Sequence, residues 1–258
     1  MHPIRRIAFS LLMLCALAGA AHADRRYFVQ SYTPYLASAG SLELEATSIA
    51  LYGRGDVAAT AWQNRFEFEY GVTDRLTGAL YFNYIQSSEP EASSRFDGPS
   101  LEFIYRLSEP GRLPVDPAAY LEVRENGDEL EVEPKLLLAR RVYKLVGVLN
   151  VAGEFEHHFA GAEQGLTQKN LRVTGGFSRE IGHVAAIAIE AVYDKPALGT
   201  GSNASALFVG PTLNLQTARA QIALGWQPQV SGHPATGGGI NLAGFPRGEV
   251  RLIVGVDL

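Results

Sequence analysis

Alternation of polar and apolar residues with a period of two, in segments of about ten residues, most restricts how this chain can fold. Between Asn64 and Tyr84 the sequence reads NRFEFEYGVTDRLTGALYFNY. Arg65, Glu67 and Glu69 alternate with Phe66, Phe68 and Tyr70, and after a three-residue break Leu80, Phe82 and Tyr84 repeat the pattern. Successive side chains of a strand point to opposite faces, so such a segment has one apolar and one charged face. About twelve segments of this kind follow one another, from SLELEATSIALY at Ser41 to GEVRLIVGVDL at the C-terminus. None has a sustained helical period, and no low-complexity boundary divides the chain, which predicts an all-β protein with a single strand-built domain.

Connection lengths choose between a sandwich and a barrel. Tight links are expected at Thr73–Arg75, around Lys144, at Glu180–His183 and at Gln216–Arg219. Longer links rich in Gly, Ser, Pro and Ala alternate with them. Short turns at one end and long loops at the other are the pattern of a transmembrane antiparallel up-and-down β-barrel, here of about 12 strands. Two links depart from it: SEPGRLPVDP is long where a turn is expected, and ENGD is short where a loop is expected. Asn126–Gly127 in the latter favours a tight hairpin. Pro134 and Pro211 fall inside segments, where a closed barrel has no free edge, and are read as bulges or early strand ends.

The N-terminus carries a basic start (Arg5, Arg6), an apolar stretch from Ile7 to Ala20 and the small-residue run Ala21–Ala23. This order predicts a secretory signal peptide, residues 1–23, cleaved to leave a barrel of residues 24–258. Cleavage removes Cys15, the only cysteine, and with it any disulfide or cysteine-based metal site. The formal charge of −5 becomes −7 once Arg5 and Arg6 are lost, a balance that argues against a nucleic-acid partner.

In a barrel the apolar parity faces lipid and the charged parity faces the lumen. The expected lumen-lining set is Arg65, Glu67, Glu69, Glu102, Arg106, Glu122, Arg124, Glu133, Lys135 and Glu154. Glutamates outnumber basic residues on this parity, so pairing alone does not neutralise them, and a wet, acid-rich lumen follows. Trp62, Phe155 and Trp226 near one end, with Tyr70 and Phe177 near the other, fit interfacial girdles.

The stretches RRYFVQSYTPYLASAGSLELEA and RFEFEYGVTDRLTGALYFNY resemble mid-sized, poorly characterised families of Gram-negative outer-membrane β-barrels. That resemblance implies a Gram-negative outer-membrane location, with lipid and the outer-membrane assembly machinery as partners. Such barrels commonly end in an aromatic residue, whereas this chain ends in Leu258.

The function expected from this reading is porin-like: a narrow channel or uptake barrel for a small solute, its transport biased to cations by the lumen. A filled structural barrel and an outer-membrane lipid hydrolase are the alternatives. For hydrolysis, His157 and His158 stand beside Glu154 and Glu156, but no His-Ser-Asn run accompanies them. Glu154, Glu156 and His158 also share a strand face with imidazole and carboxylate donors, a candidate metal patch that one strand cannot close alone. No phosphate-cradling loop or dinucleotide fingerprint occurs, and no cofactor is expected.

Overall fold

The computed structural model describes residues 26–53, 60–87, 93–161, 164–197 and 202–258. The expected signal peptide, its cleavage site and Cys15 lie outside the described residues. Twelve strands follow in order: β1 (Leu42–Tyr52), β2 (Thr60–Thr73), β3 (Leu76–Ser87), β4 (Ser93–Arg106), β5 (Asp116–Glu125) and β6 (Glu129–Val142). Then come β7 (Leu145–His158), β8 (Thr167–Ile181), β9 (Ala185–Lys195), β10 (Ser205–Gln216), β11 (Ala220–His233) and β12 (Gly248–Asp257). Each strand pairs antiparallel with its neighbours in sequence, and β1 pairs with β12 from Glu43↔Asp257 to Tyr52↔Gly248, which closes the barrel. Closure leaves no edge with unpaired backbone groups.

The alternation explains the wall. Phe66, Phe68, Tyr70, Leu80, Tyr84, Leu101 and Phe103 are all exposed on the outer face. On the opposite parity Glu43, Glu45, Glu67, Glu102 and Glu122 are buried inside. Aromatic neighbours reinforce the outside: Phe66 meets Tyr84 edge-on at 6.2 Å and Phe68 meets Phe82 at 6.5 Å. An outer surface this apolar is one that a bilayer, and not water, covers. No helix among the described residues is long and apolar enough to cross a membrane.

Short turns at 74–75, 143–144, 182–184 and 217–219 gather at one end of the barrel. The two exceptional links are as the sequence has them. Residues 107–115 make a long connection at the short-turn end, and Asn126–Asp128 a tight one at the other. In the latter, Asn126 Oδ1 accepts from the Asp128 and Glu129 amides at 3.1 Å each, and Gly127 takes φ +92°, a conformation costly for any side chain.

Pro134 and Pro211 require a correction. Neither ends a strand nor forms a bulge: Pro134 pairs with Leu121 and Pro211 with Ile189. The registers β6–β7 and β10–β11 resume unshifted beyond each proline. On its other side each proline lies in a short gap in the ladder, so its missing N–H costs one local interruption and not the strand. Register shifts occur elsewhere, among them one between Phe82 and Tyr84 opposite Gly98, which has φ +87°.

Sequence reasoning did not foresee what fills the barrel. The segment 26–39 precedes β1 and runs inside the wall, where Tyr27, Phe28, Val29, Gln30 and Ser31 are all buried. Small residues shape its seat. A Cβ on Gly176 would meet Phe28 at 3.0 Å, and one on Gly225 would overlap Val29. Phe28 and Tyr27 pack with Ala139, Val146, Val148 and Ala186, while Val29 packs with Ala223 and Ile253. The short-turn half of the lumen therefore has an ordinary packed core.

Candidate functional site

The N-terminal segment is held mainly by wall side chains that satisfy its backbone, not by strand pairing. Glu190 on β9 accepts from the amides of Val29 (2.8 Å), Gln30 (2.9 Å) and Ser31 (3.2 Å), and from the Thr212 hydroxyl at 2.6 Å. Asn150 on β7 accepts from the Tyr32 amide at 2.7 Å and donates to the Tyr32 carbonyl at 3.0 Å. Arg251 donates to the Val29 carbonyl at 3.0 Å, and the Gln30 amide group donates to Glu249. Toward the short-turn rim the Tyr27 hydroxyl donates to Glu180 at 2.6 Å, and the Tyr35 hydroxyl donates to Asp116 at 3.1 Å. Burial and the neighbouring Asp116 push the Tyr35 hydroxyl up to about 12. A backbone withdrawn from water needs these partners, because each orphaned group costs about 1–3 kcal/mol. Two wall amides nonetheless lack them. Asn214 and Gln227 are buried without a hydrogen-bond partner among the described residues.

Above the segment, in the long-loop half, a cavity of about 290 Å³ remains. Arg26, Gln30 and Tyr32 reach it from the segment, and its sides come from the wall. Its charges are divided across the lumen. The arc β4–β7 contributes Asp97, Glu122, Glu131, Glu133 and Glu154. Against those five carboxylates it sets Arg124 and Lys135, a formal excess of three negative charges. The remaining wall and the segment contribute Arg26, Arg65, Arg172 and Arg251 against Glu45, an excess of three positive charges. In the twelve-strand ring β12, which carries Arg251, lies opposite β6, which carries Glu131 and Glu133.

Local pairs temper these charges without cancelling the division. Arg124 bonds Asp97, Glu129 and Glu131 within its own arc. Lys135 pairs with Glu133 at 2.9 Å and lies over the Tyr120 ring at 3.8 Å. On the basic side the pairs are longer: Arg251–Glu249 at 3.3 Å, Arg172–Asp194 at 3.3 Å, Arg26–Glu45 at 3.4 Å and Arg65–Glu122 at 3.8 Å. These exceed the 2.7–2.9 Å typical of a strong charge-assisted bond.

The residues expected in the lumen divide by height. Arg65, Glu122, Arg124, Glu133, Lys135 and Glu154 line the cavity. Glu67 and Glu102 lie lower and are almost fully buried, Glu102 accepting from the Tyr81 hydroxyl. Glu69 borders a smaller pocket beside Tyr32, Tyr35 and Glu43, and Arg106 reaches Glu109 at the short-turn rim, 3.2 Å away. The excess of inward carboxylates thus belongs to the half occupied by the segment. The alternation that placed these groups inward carries no signal for height. Arg26, Asn150, Arg172, Glu190 and Arg251 complete the site. Of these, Glu190 lies in an apolar-looking strand, AAIAIEAVYDK, and its partners are 160 residues away in sequence.

The candidate metal patch gains neighbours from β6. Glu129, Glu156 and His158 bring ligand atoms within 4.8 Å of one another, as do Glu131, Glu154 and Glu156. The register supplies them: Glu129 lies opposite His158 and Glu131 opposite Glu156. Arg124 already bonds Glu129 and Glu131, and Asn170 donates to Glu154 and Glu156, so a cation there would compete with built-in donors. For the hydrolase reading, His157 Nδ1 is 2.9 Å from Thr167 Oγ1 at the long-loop end. Ser178 pairs with Val146 near the opposite end, with its hydroxyl donating to the Ile187 carbonyl.

A closed antiparallel barrel of twelve strands, apolar outside and charged within, defines the class of outer-membrane β-barrel proteins. Within that class the chain belongs to the family of unknown function DUF6662, which matches residues 20–258. Its fold is similar to that of the COG4313 outer membrane channel from Pseudomonas putida F1, at 12% identity over 90% of this chain and 100% of that one, with a TM-score of 0.63. It is also similar to the NanC porin, at 11% identity over 84% of this chain and 100% of that one, with a TM-score of 0.55. No curated protein matches the sequence significantly. At such identities the likeness concerns the fold.

Proposed function

We propose that this protein is an outer-membrane channel for small solutes, its long loops facing outward, its short turns facing the periplasm and its inner half closed by the N-terminal segment. The observation that carries this reading is the cavity of about 290 Å³ lined by charged side chains of both signs. Six buried or half-buried acids and six bases around one space are costly unless water or a polar solute reaches them. The two solved channels of similar fold support the reading at the level of architecture. In a conducting state the segment leaves or shifts, and the hydrogen bonds to Glu190 and Asn150 are the ones that break. The excess of carboxylates around the segment then becomes part of the route and favours cations, as expected for an acid-rich lumen.

Ser31 Oγ donates to Thr174 Oγ1 at 3.0 Å, close enough for a pair of cysteines to bridge. The test is the S31C/T174C variant in a planar bilayer. Reduced protein is expected to conduct with cation preference, and oxidised protein to lose most of that current. Absence of conductance in wild-type, reduced and segment-deleted protein overturns the reading. It leaves the filled structural barrel, which the packed core around Phe28 favours.

A further inference from the structure

From the divided charge of the cavity we infer that it binds small zwitterions, solutes with a carboxylate at one end and an ammonium at the other. The inference rests on the reading that solutes reach the cavity from the long-loop end, but it concerns recognition and not conduction. Two observations carry it. First, the formal charges of the lining side chains sum to zero yet divide across the width, with three excess negative on the β4–β7 arc and three excess positive on the remaining wall and the segment, an excess that Asp194 and Glu249 behind Arg172 and Arg251 reduce to one. A single anion or cation gains from one side and is repelled by the other. A zwitterion lying across the lumen gains from both, while its zero net charge asks for no counterion.

Second, each side offers groups short of a partner. Arg26 Nε is buried without a hydrogen-bond acceptor among the described residues, Arg251 Nε has there only a 3.3 Å contact with Glu249 that is not aligned as a hydrogen bond, and both guanidinium groups border the cavity. Their ion pairs with Glu249 and Glu45 are long, 3.3 and 3.4 Å, so a ligand carboxylate can be accepted without breaking a short bond. Across the lumen Glu154 accepts from the Asn170 amide at 2.5 Å but has no ion pair among the described residues, and Glu131 lies on the neighbouring strand. An ammonium placed there meets carboxylates whose present donors are one amide and the Arg124 guanidinium. The volume suits an amino acid or a short peptide and falls at the low end for small-molecule sites, about 300 Å³. Free amino acids and peptide termini share this chemistry, so probe length must be varied.

The experiment is calorimetric titration of the full mature chain in detergent with alanine, dialanine and trialanine, then with N-acetyl-dialanine and dialanine amide. At least one of the three zwitterions is expected to bind about tenfold or more tightly than both capped forms of dialanine, and the length that binds best distinguishes amino acid from peptide. Glu154→Gln should weaken the zwitterion most and bring it toward parity with the N-acetyl form, which lacks the ammonium. Arg251→Gln should bring it toward parity with the amide, which lacks the carboxylate. Because Arg251 also holds the Val29 carbonyl, Arg251→Lys serves as the variant that retains charge, and it should retain most of the preference. Equal affinity for zwitterionic and capped probes, or no zwitterion binding at millimolar concentration, overturns the inference. Conductance without zwitterion preference sinks this inference alone, and zwitterion binding without conductance sinks the channel reading alone.

Discussion

Glu190 shows how much one residue controls here. It is 1% exposed, and its two oxygens serve three consecutive backbone amides and a hydroxyl. Glutamine at this position keeps the size but removes the charge and one acceptor oxygen, leaving at least one buried N–H unpartnered. The expected cost is about 1–3 kcal/mol. It should appear as faster maleimide labelling of a cysteine placed at Ser31, with the outer strands unaffected. Gly225 tests the same seat from the wall. Any Cβ there overlaps Val29 most and also crowds the Gln227 side chain, so the segment must yield together with the end of that flexible amide, while no wall backbone atom is among its nearest neighbours. Gly225→Ala should therefore loosen the segment by about 1–3 kcal/mol, the usual cost of overpacking. Adding Val29→Ala should recover much of the loss, and unchanged labelling in both single variants would refute the seat. Such coupling is the signature of direct contact.

At the scale of an element, the N-terminal segment and the strands are separable. Every strand has both ladder neighbours without the segment, and the first strand begins only at Leu42. Deleting residues 26–37 should leave a folded, heat-modifiable barrel with lower thermal stability, since the cluster around Phe28 and Val146 loses its inner half. Failure to form any barrel would instead make the segment a folding nucleus. The element also explains why Glu67 and Glu102 are poor choices for tuning a pore while the segment is in place: both lie beneath the cavity.

For the whole molecule, orientation follows from connection length. In the membrane, a cysteine at Thr236 in the link 234–247 should label on intact cells with an impermeant maleimide, whereas one at Thr73 should label only after the outer membrane is disrupted. Reversed labelling inverts the barrel, and equal labelling in a soluble fraction argues against membrane insertion. The Leu258 amide donates to the Leu42 carbonyl at 2.9 Å, which extends the β1–β12 closure by one residue.

The wall was legible in the sequence because strand physics is local. Alternation at Phe66, Glu67 and Phe68 sets the two faces, and Asn126–Gly127 marks a hairpin, each within a few residues. The lumen was not legible, because its contacts join parts of the chain that share no local pattern. RYFVQSY before β1 is short, aromatic and unpatterned, and only closure of the barrel makes a space for it. Alternation places a charge inside but not at a height, so it could not separate Glu154 at the cavity from Glu102 beneath it. Nor could it bring Glu190 to Val29 or set Arg251 across from Glu131. Side is decided by the two-residue period of the strand. Height and partnership are decided by how twelve strands stagger around a ring, and that is a property of the closed sheet alone.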